Sequence, residues 1–374
     1  MNDVFTYGGV AEGENFTDRE DETRRLVANF EHGVNTLLVS NRRIGKTSLV
    51  RRVRELVDGG KVAVVYLDVF DCRSEYDFYN KLASAVLRQT ATKAEALLQN
   101  VRSFLGSVSP KITLSPDPTT EFAVSLGLAP RECPPERVLD LAERIAKKLK
   151  KRIVVCIDEF QQVGEFPDSL QVQKRLRGAW QLQQHVSYCL FGSRKHLMTE
   201  MFQNRSMPFY QFGDAVFLDA IPAEKWIPFI RGKFRKQKMS ISEEVAGRIC
   251  EAVRCHSSYV QQLSWLVMLR TDREATAETV ERAVEELVEQ NSALFMQQTV
   301  GLTSTQMNLL RAIANDLHDG LQSKKVLEEY NLGTRANVGR IRKALVDRDL
   351  VEIRENGLYF CDPVFGLWFR SRCM

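Results

Sequence analysis

The chain is predicted to be an α/β protein in which a parallel sheet is followed by helices and by a small C-terminal domain of helices and a β-hairpin. Strand-like apolar runs alternate with helical periodicity up to residue 220, which is typical of a parallel, doubly wound sheet. From Pro222 the strand signal fades, and helical spacing of apolar residues continues to Phe295. Near the end of the chain, Asn356 and Gly357 stand between alternating apolar residues, which is a strong hairpin signal.

Length and composition limit the kind of protein that this chain can be. A chain of 374 residues suits two or three domains, and we place their boundaries at 1–220, 221–300 and 301–374. The net charge of +4, from 52 basic and 48 acidic residues, gives no global argument for nucleic-acid binding. Eight scattered cysteines without a CxxC pair favour reduced thiols and a cytoplasmic location. No apolar run approaches the ~20 residues that span a bilayer, so we expect neither export nor a membrane anchor.

A phosphate-binding loop, the Walker A motif, is predicted between the first strand and the helix after it. The apolar run that ends at Ser40 leads through residues 41–48 into a helical pattern. Gly45 lets backbone N–H groups close around phosphates, Lys46 reaches the β and γ oxygens, and the Thr47 hydroxyl can ligate Mg²⁺. Ser40 stands where such loops have their first glycine, so this turn is expected to be strained or differently shaped. The loop residues expected to contact the nucleotide are Arg43, Ile44, Gly45, Lys46, Thr47 and Ser48.

The other half of a nucleotide site, a Walker B strand, is predicted at residues 153–157, a continuous apolar run that suits a strand buried on both faces. Asp158 follows it and is expected to hold Mg²⁺ through water. Glu159 is expected to orient or deprotonate the attacking water, which a hydrolase needs and a small-molecule kinase does not. The alternative interpretation of this pair is a surface acidic pair after a core strand.

The other elements follow in order along the chain. Further strands are predicted at 62–69, 187–192 and 216–218, and a helix at 76–88. Residues 109–126 alternate apolar and polar side chains and predict an inserted β-hairpin, either a structural flap or a partner-binding feature. A helical lid is predicted from the segments 226–230, 245–253, 259–269 and 276–295. A capping-box start at 302–306 opens three helices, which with the hairpin make a winged helix.

Together these motifs resemble the AAA+/STAND-type P-loop ATPases of the archaeal and bacterial "predicted ATPase" group across nearly the whole chain. The resemblance implies an ATP-binding domain, a lid and a winged helix, with ATP or ADP and Mg²⁺ as cofactors. Residues 15–22 match the adenine-side segment of the family, which implies that Phe16 and Arg19 flank the base and phosphates. Residues 191–193 resemble the segment where a polar residue senses the γ-phosphate. Ser193 is therefore a candidate catalytic residue beside Lys46 and Glu159, and a plain turn serine is the alternative.

Two departures from this family affect the predicted mechanism. Ser257 stands in the lid-helix start 255–263 where relatives commonly have proline, and Gln211 stands where they often carry an arginine finger. Arg194 and Arg205 are nearby replacements, unless they are only surface arginines. Without such an arginine, which is worth roughly 10³ to 10⁵ in rate, turnover is expected to be slow.

The third helix of the winged helix, at 334–346, is a possible DNA contact. Its predicted buried residues are Val338, Ile341 and Leu345, and its basic residues are Arg335, Arg340, Arg342 and Lys343. Such a helix suits a groove or phosphate contact. However, the section from Gly301 has 11 basic and 9 acidic residues, a net charge of only +2, so packing or nucleotide sensing is the alternative. The basic run 147–152 is expected to be a solvated helix end.

These observations predict a cytoplasmic ATPase that hydrolyses Mg·ATP to ADP and phosphate and couples its nucleotide state to the lid and winged helix. A nucleotide-gated DNA-binding regulator, similar to replication initiators and with little hydrolysis of its own, is the main alternative. A phosphotransferase is a third, which Glu159 disfavours. A protein partner and a homo-oligomer both remain open.

Overall fold

The computed structural model describes residues 4–90, 111–112, 124–125, 134–354 and 357–374, which divide into two compact units. The sheet unit consists of Arg19–Arg42 and Lys46–Leu218. The helical unit consists of Met1–Asp18, Arg43–Gly45 and Asp219–Met374.

A five-stranded parallel sheet forms the centre of the sheet unit. The strands of this unit are β1 (Thr36–Val39), β2 (Val62–Asp68), β3 (Lys111–Ile112), β4 (Val124–Ser125), β5 (Arg152–Asp158), β6 (Val186–Gly192) and β7 (Asp214–Phe217). Five of them form the sheet in the order β2-β5-β6-β1-β7, with every neighbouring pair parallel. Every residue of β6 is buried, as expected for a strand covered on both faces. The predicted parallel α/β fold is therefore confirmed.

Helices on both sides of this sheet supply its apolar cover. They are α1 (Glu20–His32), α2 (Lys46–Leu56), α3 (Glu75–Thr90), α4 (Pro135–Leu139), α5 (Leu141–Leu149), α6 (Ser169–Trp180) and α7 (Lys195–Gln203), with a 3-10 helix at Phe160–Glu165. In α2, Leu49, Val50 and Val53 are at most 1% exposed. Their spacing at i, i+1 and i+4 places them on one face of the helix, as the apolar periodicity predicted.

β3 and β4 form the predicted hairpin strands. They pair antiparallel, with Lys111 opposite Ser125 and Ile112 opposite Val124. The predicted turn at 115–118 and the rest of the 109–126 segment lie outside the described residues.

Asn35 fixes the start of β1 between its two neighbouring strands. Its carbonyl accepts from Asp214 N at 2.8 Å, and its side-chain Oδ1 accepts from Tyr188 N at 2.9 Å. Gly213 passes so close that a Cβ there would lie 2.3 Å from Asn35 O. The absence of a side chain at Gly213 therefore allows β7 to begin beside β1. The predicted phosphate loop follows β1.

The helical unit begins with four helices after residue 219. They are α8 (Ala223–Lys236), α9 (Glu243–Ala252), α10 (Ser257–Leu269) and α11 (Ala277–Thr299), and the short strands β8 (Ser240–Ile241) and β9 (Glu274–Ala275) pair parallel between them. Trp226, Ile230 and Phe234 recur at helical spacing on the buried side of α8. The four predicted helical segments are all present as helices, and each helix is longer than its predicted segment, α8 by nine residues and the other three by one to three residues.

The C-terminal section has the predicted winged-helix topology. Its elements are α12 (Ser304–Ala314), α13 (Lys324–Glu329), α14 (Arg335–Asp347), β10 (Val351–Arg354), β11 (Gly357–Phe360) and α15 (Pro363–Arg372). Thr303 caps α12 with Gln306 in the predicted capping box. β10 and β11 pair antiparallel, whereas Asn356 of the predicted turn lies outside the described residues. In the described part of the chain, no helix has both the length and the hydropathy of a membrane span.

Candidate nucleotide site

The phosphate loop surrounds the side chain of Lys46, the first residue of α2. Its Nζ donates to Asn41 O at 2.9 Å, to Ser40 Oγ at 3.1 Å and to Ser40 O at 3.4 Å. Lys46 is 7% exposed, and burial lowers the pKa of its ammonium to about 8. The charges of Asp158 and Glu159 oppose that decrease in pKa. The loop therefore holds a partly desolvated cation, which interacts strongly with phosphate oxygens.

The strain or different shape expected of this turn is not found at Ser40 itself. Ser40 does not have a positive φ; Arg43 (φ 58°) and Gly45 (φ 102°) do. The Ser40 hydroxyl instead accepts from Lys46 and donates to Asn41 O at 3.0 Å. A serine at this position thus adds an oxygen ligand for the lysine, and the left-handed backbone that favours glycine lies further along, at Gly45.

Asp158 ends β5 next to the phosphate loop, as the sequence predicts. Thr47 Oγ1 donates to Asp158 Oδ2 at 3.1 Å, and Tyr66 OH donates to the same oxygen at 2.8 Å. Burial raises the pKa of the Asp158 carboxyl, the neighbouring Glu159 charge raises it further, and the hydrogen bond from Tyr66 lowers it. A carboxylate and a hydroxyl this close are hard oxygen ligands of the kind Mg²⁺ prefers, so Thr47 and Asp158 fit the predicted metal site.

Tyr66 is not among the site residues predicted from the sequence. Its signal is a phenol among the apolar residues 62–67 of β2, where a polar tip needs a partner when it is buried. The partner is apparent only once β2 is known to lie beside β5, with Tyr66 opposite Cys156.

Glu159 and Ser193 are brought together from the ends of two adjacent strands. Glu159 Oε2 accepts from Ser193 Oγ at 2.8 Å and from Ser193 N at 3.4 Å. The same oxygen accepts from Nε2 of Gln161, which is not among the site residues predicted from the sequence. Glu159 has a φ of 55°, a left-handed conformation that is uncommon for a non-glycine residue and that clusters at functional positions.

Gly192 makes room for this arrangement. A Cβ at residue 192 would lie 1.8 Å from Gln161 Oε1. Because any larger side chain would displace Gln161, the glycine before Ser193 permits the hydrogen bond between Gln161 and Glu159.

The predicted adenine-side residues lie in different units. Arg19 begins the sheet unit, is 5% exposed, and donates from Nη1 to Glu22 Oε1 at 2.8 Å. Phe16 belongs to the helical unit, is half-buried, and follows the 3-10 turn Gly13–Asn15. Their contacts with a base or phosphate stay predictions.

Within the helical unit, the loop residues 43–45 contact α10. Ser257 Oγ donates to Ile44 O at 3.3 Å. The Arg43 guanidinium hydrogen-bonds the Tyr259 hydroxyl, which donates to Asp362 Oδ2 at 2.6 Å. Asp362 caps α15 of the winged helix, so a short chain of polar contacts joins the phosphate loop to that domain.

The two arginine-finger candidates differ in their surroundings. Arg194 Nη1 pairs with Glu165 Oε1 at 2.7 Å, and Arg205 is exposed in the turn after α7. Gln211 is exposed and has a φ of 53°.

The basic side of α14 is exposed, while its predicted core residues are buried. The exposed basic residues are Arg335, Arg340, Arg342 and Lys343. The buried residues are Val338, Ile341 and Leu345. The basic run 147–152 was expected to be a solvated helix end. Its first two residues, Lys147 and Lys148, are exposed in the last turn of α5.

Two regions of the chain match known protein families. Residues 16–263 match the model of a family described as an ATPase domain predominantly from Archaea, and residues 293–371 match a probable winged helix domain. A search of curated protein sequences gives no significant match.

Among solved structures, the chain is similar to a Walker-type ATPase of Pyrococcus abyssi. The two share 19% identity over 98% of this chain and 99% of that chain, with a TM-score of 0.70. The ORC2 protein of Aeropyrum pernix, solved as ADPNP and ADP complexes, has 15% identity over 96% of this chain and 93% of its own, with a TM-score of 0.59. At these identities the likeness establishes the fold.

Proposed function

Because the chain belongs to the family of ATPase domains that occur predominantly in Archaea, we propose that it binds Mg·ATP at the phosphate loop and hydrolyses it slowly to ADP and phosphate. The observation that carries the proposal is the convergence of Lys46, the Thr47–Asp158 pair and the Glu159–Ser193 pair at one edge of the sheet. Parallel sheets bind ligands at the carboxyl ends of their strands, which is where all these residues lie.

Each residue has a separate task in this proposal. Lys46 and the backbone N–H groups of the loop bind the β- and γ-phosphates. Thr47 and Asp158 would hold Mg²⁺, which supplies positive charge to the phosphate oxygens when bound. Glu159 accepts a proton from the attacking water, and the Ser193 hydroxyl, 2.8 Å from its Oε2, orients that carboxylate and senses the γ-phosphate.

The test is a single-turnover assay of ATP hydrolysis by the full-length protein, with Lys46→Ala as the binding-deficient variant. We expect ADP formation by the parent, and loss of most ATP affinity in the folded Lys46→Ala protein. Absence of hydrolysis with intact ATP binding would reject the enzymatic part of the proposal and retain a nucleotide binder.

Coupling to the winged helix is a further part of the proposal. The hydrogen-bonded chain from Arg43 through Tyr259 to Asp362 supports it, since phosphates that draw the Arg43 guanidinium away would change the partners of Tyr259. Hydrogen exchange with and without Mg·ATP tests it, and equal protection of α10 and α15 in both states would remove the coupling.

A DNA-binding regulator is the second candidate function. The specific observation in its favour is the exposed basic side of α14, with Arg340 and Lys343 opposite the buried Ile341. Salt-dependent binding to duplex DNA would support this function, because it reports phosphate contacts.

A further inference from the structure

The end of α9 brings two cysteines into contact. Cys250 lies in the last turn of the helix, and the Cys255 N–H donates to Cys250 O at 2.8 Å. Arg254 (φ 48°) and Cys255 (φ 55°) have left-handed backbones, so the chain turns back over the helix end. This hydrogen bond is typical of a Schellman motif at a helix C-terminus, in which the side chains of the two hydrogen-bonded residues are often in contact. The two thiols accordingly lie close enough to interact with each other.

The two thiols differ in access and acidity. Cys250 is 1% exposed, whereas Cys255 is partly exposed. The hydrogen bond from Cys250 lowers the pKa of Cys255 to about 7, against the opposing effects of burial and of the Glu224 charge. Cys255 is therefore the nucleophile of the pair, and Cys250 is the adjacent thiol that can resolve a mixed disulfide.

A second pair of thiols in the described residues provides a contrast. Cys156 and Cys189 lie opposite each other in β5 and β6, and both are 0% exposed. Burial raises the pKa of Cys189 well above its ordinary value. Neither thiol of this core pair is accessible to a small disulfide, so the pair lacks the exposed nucleophile that Cys255 provides, and proximity alone does not make it reactive.

We propose that Cys250 and Cys255 form a redox-modification site, which small-molecule disulfides convert reversibly to an intramolecular disulfide. The Cys255 thiolate attacks one sulfur of the small disulfide, whose S–S bond breaks and releases one thiolate. Cys250 then attacks Cys255 Sγ, the second small thiolate leaves, and the Cys250 proton passes to it. Two protein thiols are oxidised, one small disulfide is reduced to two thiols, and no other oxidant is needed.

The disulfide would form next to a residue that contacts the phosphate loop. Ser257, two residues after Cys255, is the side chain whose hydroxyl donates to Ile44 O in the phosphate loop. A disulfide would restrain the turn that positions Ser257. The disulfide itself does not depend on the proposed ATPase function.

Tryptic mapping after incubation of the full-length protein with oxidised glutathione tests the proposal. Because Arg254 lies between the cysteines, trypsin separates them into peptides 249–254 and 255–270, which only a disulfide can join. We expect this joined pair under native, non-reducing conditions, while Cys156 and Cys189 stay reduced. Cys250→Ser should stop at a stable mixed disulfide between Cys255 and glutathione, and Cys255→Ser should give neither product, with Cys→Ala variants as a second pair.

Alkylation rates provide an independent readout in the reduced protein. A pKa of about 7 makes about half of Cys255 thiolate at pH 7, against about 1% for a thiol whose pKa is 9.0, and lower nucleophilicity offsets part of this gain. Cys255 should therefore react with iodoacetamide at least about fivefold faster than Cys373. Absence of the joined peptides from the folded parent, or alkylation of Cys255 no faster than Cys373, would overturn the proposal.

Discussion

Replacement of Glu159 by Gln is expected to separate ATP binding from ATP hydrolysis. In the structure, Glu159 Oε2 accepts from Ser193 Oγ at 2.8 Å and from Gln161 Nε2. Glutamine keeps an acceptor oxygen and the size of the side chain, so these contacts and the fold should persist. It removes the negative charge and the capacity to take a proton from water.

The expected decrease in the rate of hydrolysis follows from the loss of the general base. A positioned general base contributes about 10²-fold or more to a rate, which corresponds to about 2.7 kcal/mol of transition-state stabilisation. ATP affinity should be retained or increase, because a carboxylate near the bound γ-phosphate is neutralised. Lys46 should remain protonated at pH 7, since burial lowers its pKa only to about 8.

The assay is single-turnover hydrolysis with enzyme in excess over ATP, combined with a calorimetric measurement of the dissociation constant. Glu200→Gln is the matched control, because Glu200 is an exposed carboxylate on α7 and should leave both quantities unchanged. If Glu159→Gln hydrolyses ATP within about threefold of the parental rate, a margin far below the worth of a general base, the catalytic assignment is wrong. The chain would then be better described as a nucleotide-binding regulator.

Three other outcomes follow from the same geometry. The folded protein binds fewer protons than the unfolded chain between the Lys46 pKa of about 8 and the ordinary value near 10.5, so its free energy of unfolding should rise across that pH window by about 3 kcal/mol. Lys46→Met should abolish that rise in urea titrations at pH 8 and pH 10, and an unchanged rise would show that another group titrates. Asp158→Asn should lower ATP affinity in Mg²⁺ to its value in EDTA, measured by calorimetry, whereas a persistent Mg²⁺ effect would place the metal elsewhere. If α14 binds duplex DNA, Arg340→Ala with Lys343→Ala should reduce the salt slope of log K by about 2 in anisotropy titrations, while exposed Arg348→Ala serves as a control for a basic residue just beyond the helix.

The positions of the main elements were predictable because buried parallel strands and amphipathic helices have distinct apolar patterns. The prediction from the sequence also put Thr47 and Asp158 together at the metal site, since residues at the ends of parallel strands meet at one edge of the sheet. Glu159 and Ser193 were separate candidates, and their hydrogen bond to each other was not part of the prediction from the sequence. That prediction placed the last strand at 216–218, whereas β7 begins at Asp214. The strand starts early because Asp214 N donates to Asn35 O, a contact that no local pattern encodes.

Residues whose role depends on strand order could not be predicted. The hydrogen bond of Tyr66 to Asp158 forms only because β2 lies beside β5. The hydrogen bond of Gln161 to Glu159 depends on the space left by Gly192 on the neighbouring strand β6. The contact of the Ser40 side chain could not be predicted for a different reason. This side chain stabilises the loop through the ammonium of Lys46, whereas the expectation considered only the backbone of Ser40.

The strand order also constrains how this protein is made. β1 is the first strand of the sheet to be synthesised, yet its neighbours are β6 at residues 186–192 and β7 at residues 214–217. Such long sequence separation slows folding, and a nascent chain leaves the apolar β1 unpaired while the intervening segments emerge from the ribosome. The strand that leads into the phosphate loop therefore lacks both of its neighbours until β6 has been synthesised. Nascent chains that stop before β6 should not retain nucleotide.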